Sequence, residues 1–433
     1  MTVTLILSAL TFLTLAASIL FFPTLRIGRF RTGTYWLVAL GGALLLLLTG
    51  QVPAAELWSR LTAGSAIDPV RILALFFSMT FLSVYLDEVG LFRWLAKIAV
   101  RFAGRDQRRL FVTFYLLAAV LTVFTSNDVV ILALTPFLCF FCRNTEIDPL
   151  PYLIGEFAAA NTWSMMLVIG NPTNVYLASS AGIGFLDYLR VMALPTLAAG
   201  TLEFVLIYFL FRRRLEQPVR PHVDNYRVKS RLHLAVGAAH LAVCLTLLVV
   251  SGYVGLEMWL VSAACALCLL LFAAIAALAR NRDRRILLRT LRRLPWTLIP
   301  FVLSMFVVVA ALEQQGIARL LGDALGEKGA LWTYGGASLL FANLINNIPM
   351  SMLFSTLPSA ASPVYLRAVY ASIAGSNVGA FLTPIGALAG IMFTELTEQY
   401  QVKFGFPQFV RYGALVALPT LAAALGVLTL TLP

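Results

Sequence analysis

Four polar residues interrupt an apolar run near one third of the chain: Thr125, Ser126, Asn127 and Asp128, inside TVFTSNDVVILALTPF. A second cluster, Asn343-Leu344-Ile345-Asn346-Asn347-Ile348-Pro349, stands between apolar runs near the other end. Polar groups are costly in lipid, so clusters of this kind mark an ion or solute path. Two further breaks carry the same residue types. One is Gly170-Asn171-Pro172-Thr173-Asn174; the other combines Gly375-Ser376-Asn377 with Thr383-Pro384-Ile385-Gly386. Gly and Pro unwind helices and free backbone amides and carbonyls. Freed amides at half-helix N-termini attract anions, and freed carbonyls attract cations.

The chemistry on offer is binding. Asn, Ser and Thr, rather than Lys or Arg, supply these points, as suits a small polar or anionic solute. Asp128 is the exception: a proton carrier, a sodium ligand, a counter-ion, or a cap for the helix that follows it. Asn161 lies deep on the helix leading into the first break. Glu156, on the same helix, is read as either snorkelling to the interface or facing inward. Glu203 is a third intramembrane acid, with pairing to a neighbouring polar group as its plainer role. Pro136 and Pro349 shape the segments that hold them. An enzyme would need a paired carboxylate, a Ser/His set or a metal set, and none is evident. The three His residues form no metal motif. Cys139/Cys142 and Cys265/Cys268 have C-x-x-C spacing, which permits thiolate chemistry but more simply supplies small packing residues.

The elements that position these groups are membrane spans. The chain has 433 residues, 60% hydrophobic and 12% charged; soluble domains carry about 25% charge. Spans are expected at 3–22, 34–50, 69–86, 188–211, 233–251, 257–279, 296–312 and 411–431. The first reads as a span and not as a cleaved signal. Residues 110–142 would give two spans of only about 15 residues each, too short to cross. A re-entrant hairpin with its tip at 126–128 is the better reading, allowed where it lines a cavity. A second hairpin is expected over 331–357, and broken helices over 152–180 and 365–393. The basic stretch 87–109 reads as a helix lying in the interface, 212–232 as a basic linker, and 280–293 as a basic loop. The net charge of +12 follows from such loops and does not indicate nucleic acid. Placing the basic loops inside puts both termini outside.

The halves resemble each other. Residues 69–95 align without gaps to 295–321, matching Pro69 with Pro295, Asp87 with Glu313, Gly90 with Gly316 and Arg93 with Arg319. The run ALPTLAA occurs at 193–199 and again at 417–423. Five spans per repeat would invert the second relative to the first, the plan of many secondary transporters. The expected fold is therefore an all-α integral membrane protein of two inverted-topology repeats, 1–212 and 233–433, joined by the basic cytoplasmic linker 213–232. It would have about ten transmembrane helices plus the two re-entrant hairpins and two broken helices.

At these residues the chain resembles a known group. SNDVVILALTPF resembles the A-N-D…L-T-P hairpin of the arsenite permease family, within the ion transporter superfamily. NNIPMSML resembles its second-half N-N-x-P motif, GSNVGAFLTPIGALAGIMF its second broken helix, and GNPTN the G-N-P-x-N segment of anion permeases near the divalent anion:sodium symporters. Those symporters carry S-N-T at both tips; Ser126-Asn127-Asp128 and Asn346-Asn347-Ile348 depart from that pattern, towards the arsenite permease side. The resemblance implies a scaffold plus a moving transport domain, and H+ or Na+ as coupling ion with no other cofactor. It implies a multi-pass protein of the inner membrane whose partners are the bilayer and a small anionic or polar solute. A Na+-coupled dicarboxylate, citrate or sulfate symporter is the alternative, and a Na+/H+ antiporter or an intramembrane enzyme ranks behind it. A homodimer and a separate ATPase subunit stay open. The residues expected to bind are Thr125, Ser126, Asn127, Asp128, Asn161, Gly170, Asn171, Pro172, Thr173, Asn174, Asn343, Asn346, Asn347, Ser376, Asn377 and Thr383. A Na+ would sit near Asn127, Asp128, Asn171, Asn347 and Asn377.

Overall fold

The computed structural model describes residues 2–22, 24–27, 30–53, 57–58, 68–217, 219, 228–357, 361–402 and 406–432. Most of the 51–68 loop and part of the 213–232 linker, including Pro218, Pro221 and His222, lie outside the described residues. Helices dominate, and nine of those described are long and apolar enough to cross a membrane. They present large apolar side chains outward, Leu13 at 70%, Leu278 at 91% and Leu430 at 85% exposure. That pattern suits lipid as the surrounding solvent. The expected short loop after the first span instead contains a two-stranded antiparallel ribbon, Thr24–Ile27 with Phe30–Gly33. The stretch 280–293 is not a loop but a helix, Asn281–Arg293. Its Arg residues are spaced so that Ile286, Thr290 and Leu294 turn inward, a periodicity that charge density hides.

Helix Pro69–Val89 starts on Asp68, which accepts from the Val70 and Arg71 amides, and stops at Gly90 with φ 105°. Its last turn holds Asp87 and Glu88, both bound by Arg293 at 2.6 and 2.9 Å. The basic stretch 87–109 divides among three helices, with Leu91–Ala103 as its amphipathic part.

The first hairpin has arms Gln107–Phe124 and Asn127–Asn144. Each is 18 residues long, so the expectation of arms too short to cross is corrected. Polar residues at 125–128 had been counted out of the helices, whereas Asn127 and Asp128 form the first turn of the second arm. The second hairpin has a long arm, Ala330–Ile345, and a short one, Asn347–Phe354. The first broken helix runs Leu150–Trp163, passes through two 3-10 turns, and resumes at Pro172–Ser180. The second runs Tyr365–Gly379 and resumes at Leu388–Gln399. The break expected at Gly375-Ser376-Asn377 is absent, and the helix is continuous there. A Cβ on Gly375 would lie 2.1 Å from the Gly335 carbonyl oxygen, so this glycine serves close approach to the second hairpin.

Packing is reciprocal between the halves. Tyr35–Leu48 packs on Leu298–Gln314, and Met258–Ala279 packs on Pro69–Val89. The second arm of the first hairpin packs on Leu388–Gln399, and the second arm of the second hairpin packs on Pro172–Ser180. The two ALPTLAA runs lie in Phe185–Phe211 and Phe406–Thr431, which pack on each other.

Candidate functional site

The first break meets the second broken helix at Ser376 and Asn377, within the continuous segment Tyr365–Gly379. Asn171 caps Pro172–Ser180 by accepting the Thr173 amide at 3.2 Å, and its Nδ2 donates to Asn377 Oδ1 at 2.9 Å. Ser164 Oγ donates to the same oxygen at 2.8 Å. Asn377 Nδ2 donates back to Asn174 Oδ1 at 2.6 Å and to the Ile373 carbonyl at 2.8 Å. Asn174 Nδ2 closes the break by donating to the Ser164 and Leu167 carbonyls at 2.8 and 3.2 Å. Ser376 Oγ donates to Thr173 Oγ1 at 3.1 Å. Gly170 fits because a Cβ there would lie 2.2 Å from the Ser164 carbonyl oxygen. Pro172, at the first helical position, costs the break no donor. Asn171, Thr173, Asn174, Ser376 and Asn377 are all buried, so each amide left unpaired here would carry its full desolvation cost.

The first tip joins this centre from one side. Thr125 bonds back to the Leu121 carbonyl, and Ser126, in extended backbone, caps the second arm through the Val129 amide. Asn127 Oδ1 accepts the Asp128 amide at 2.9 Å, and its Nδ2 donates to Asn161 Oδ1 at 3.1 Å. Asn161 in turn anchors on the Phe157 carbonyl, and its own carbonyl lies 2.6 Å from Ser164 Oγ, sharing that hydroxyl's one hydrogen with Asn377 Oδ1. Asp128 is 5% exposed and does not cap the helix; Ser126 does. Among the described residues no side chain or amide donates to its carboxylate.

The second tip is fastened differently. Asn346 holds φ 74°, ψ 153°, a region that side chains rarely adopt. Its Nδ2 donates to the Ile385 carbonyl at 2.9 Å, and the Asn347 amide donates to the Gly386 carbonyl at 3.2 Å. Asn343 Nδ2 donates to the Gly379 carbonyl at 2.9 Å and its Oδ1 accepts from Thr383 Oγ1 at 2.6 Å. The tip is thus laced to the 380–387 connection. Asn347 Oδ1 is buried and has no hydrogen-bond partner among the described residues. No hydrogen bond between described residues joins the two tips directly; the first tip reaches the crossing through Asn127, Asn161 and Ser164, and the second is tied to residues 379–386, just past Asn377. The five residues named for Na+ divide among the two tips and the crossing.

With this geometry in view, the family model described as citrate transporter matches residues 30–374, most of the sequence. The chain belongs to the citrate transporter family. It is a multi-pass membrane transporter, not an enzyme. It is similar to the "Arsenical pump membrane protein" of Escherichia coli K12, 28% identical over 425 residues, covering 92% of this chain and 94% of that protein. It is also similar to the "Putative arsenical pump membrane protein" of Bacillus subtilis, at 24% identity over 86% of this chain and 88% of that one. In fold it is similar to the crystal structure of the Alcanivorax borkumensis YdaH transporter, with TM-score 0.53, 17% identity, and 99% and 97% of the two chains covered. The resemblance carried by the motifs therefore holds at the level of family.

In this transporter Glu156 does not snorkel. It is 1% exposed, and Thr135 Oγ1 donates to its two oxygens at 2.9 and 3.1 Å. Every residue from Leu150 to Thr162 is buried, so this helix turns no face to the interface. Glu203 is also buried and bound by hydroxyls of Thr162 and Tyr115. Ser164 and Thr135 were not singled out in the sequence. Ser164 stands only three residues past Asn161 on the helix entering the break, and that position is the signal that could have found it.

Proposed function

We propose that this chain is a secondary active transporter of a small arsenite-like solute or small inorganic anion, coupled to H+ or Na+. The observation that carries this reading is an acceptor at each tip, the Asp128 carboxylate, to which no described residue donates, and the buried, unpartnered Asn347 Oδ1, beside a buried amide and hydroxyl crossing. Acceptors without donors favour a solute that brings hydroxyl hydrogens, or a cation. Arsenous acid, uncharged at neutral pH, presents three hydroxyls. Among the described residues no Lys or Arg is buried, so a citrate trianion would meet no buried compensating charge. The names of the arsenical pump relatives point the same way; the description of the family model points to citrate.

The architecture proposed is two inverted repeats, 1–212 and 233–433, with alternating access of elevator type. The reciprocal packing of the halves, the ungapped alignment and the crossing of the two broken helices support it. With the basic segments inside, both termini would lie outside, in an inner membrane. The test is flux in vesicles carrying the purified protein, with arsenite, antimonite, citrate and sulfate offered under imposed pH or Na+ gradients. Gradient-driven movement of arsenite or antimonite is expected. Movement of citrate alone, driven by Na+, would overturn this reading in favour of the carboxylate symporter.

A further inference from the structure

Glu203 lies outside the amide crossing, on helix Phe185–Phe211, and is 0% exposed. Its carboxyl group touches Thr162 Oγ1 through one oxygen and Tyr115 Oη, at 2.9 Å, through the other. Tyr115 Oη also lies 2.8 Å from the Gly200 carbonyl oxygen and receives Trp163 Nε1 at 3.2 Å. Gly200 makes this approach possible, since a Cβ there would lie 2.5 Å from the Trp163 ring.

The proton count at Tyr115 decides the state of Glu203. A phenol has one hydrogen to donate and two lone pairs to accept with. With Glu203 ionised, the carboxylate and the Gly200 carbonyl would both need that single hydrogen, and one buried acceptor would face the phenol oxygen without a proton between them. With a proton on Glu203 Oε1 every contact is made: Glu203 donates to Tyr115, Tyr115 donates to Gly200, Trp163 donates to Tyr115, and Thr162 donates to Glu203 Oε2. Helix 185–211 packs against Leu150–Trp163, Phe406–Thr431 and Arg231–Val254. Among the described residues Thr162 and Tyr115 are the groups hydrogen-bonded to Glu203, and no Lys, Arg or His forms an ion pair with it.

We propose that Glu203 is a proton-binding site of the transport cycle, occupied in this structure and separate from Asp128. Thr162 adjoins Asn161, which holds the first tip through Asn127. A shift of the broken helix that carries Thr162 and Trp163 away from Glu203 removes two donors from this network and admits water to take the proton. Loss of that proton leaves a carboxylate, to which the Tyr115 hydrogen turns from Gly200. The inference deepens the transport reading by naming H+ as a coupling ion and a second residue that carries it.

Two measurements test it. Infrared spectra of the protein in vesicles should show, at neutral pH, a protonated carboxylic acid carbonyl band that Glu203→Gln abolishes and Asp128→Asn leaves in place. Tyr115→Phe, which keeps the ring and removes the receiving hydroxyl, should shift it. The band should disappear reversibly as pH rises, and solute flux through Glu203→Gln should lose its response to an imposed pH gradient. A spectrum unaltered by Glu203→Gln would overturn the protonation. A band that persists at every pH, together with a wild-type pH response in Glu203→Gln, would overturn proton exchange and leave a structural acid. If wild-type protein moves none of the offered solutes, the transport reading fails by itself, and the infrared arm still reads Glu203.

Discussion

The two hairpin tips occupy corresponding places beside the two broken helices, yet they are held by different means. The second tip is fixed largely on backbone carbonyls: the Asn346 side chain and the Asn347 amide donate to the Ile385 and Gly386 carbonyls, and Asn343 donates to the Gly379 carbonyl and accepts from Thr383. The first tip hangs on a single side-chain pair, Asn127 to Asn161, and carries an acid with no donor among the described residues. The contrast extends to the halves. Asp128, Glu156 and Glu203 are buried in the first, whereas among the described residues the second buries amides and hydroxyls but no acid beyond Asp283. In the proposed cycle, a tip laced to its neighbour by backbone keeps its shape, while a tip held by one amide pair and able to change charge responds to an ion. The division of labour would be coupling in the first half and solute shape in the second.

The strongest blow to that comparison should come from the crossing that both tips share. Asn377→Ala strips partners from Asn171, Asn174 and Ser164 at once. Unsatisfied buried groups cost about 1–3 kcal/mol each. Thermal unfolding in detergent should fall by several degrees and flux should be lost; a wild-type melting curve with intact flux would show that the halves are not joined there. Next in size is Gly375→Ala, whose methyl would meet Ser338 Oγ at 1.9 Å and the Gly335 carbonyl. Overpacking of this kind costs about 1–3 kcal/mol, and it should weaken the second hairpin and spare the first, as limited proteolysis of each hairpin would reveal. A smaller effect is expected at Asn346. Asn346→Gly suits the positive φ but gives up the bond to Ile385, whereas Asn346→Ala loses both, so the alanine variant should be less stable by about 1–2 kcal/mol. Equal stabilities would mean that the backbone at this tip is unstrained. Least disruptive is cysteine labelling, which should place the entry of the first hairpin inside and that of the second outside; labelling from one side would break the inverted-repeat reading.

Much of this site was legible because amides and an acid in apolar sequence have few roles besides lining a path. The Asn-Pro and Asn-Asn breaks fell where expected for that reason. What stayed hidden depended on packing across elements. Gly375 looked like a helix breaker, since glycine supports both unwinding and close approach, and only the position of Gly335 distinguishes them. Glu156 sits near a helix end in sequence, and nothing there shows that Thr135 faces it from the first hairpin. The helix Asn281–Arg293 was obscured by its charge, which is the solvated face of an amphipathic segment. The hairpin arms are longer than the apolar run 110–142 suggests because polar residues extend both: Gln107–Arg109 open the first, and Asn127, Asp128, Arg143 and Asn144 lie in the second.

The central claim, that ion coupling resides at the first tip and solute contact extends to the second, is most directly tested by comparing Asp128→Asn with Asn347→Ala in sealed vesicles. Gradient-driven accumulation and gradient-free exchange of the same solute would be measured for each. Asp128→Asn should abolish accumulation but still exchange solute, while Asn347→Ala should accumulate solute only at raised concentration. Full accumulation by Asp128→Asn, or loss of coupling in Asn347→Ala with solute affinity intact, would contradict it.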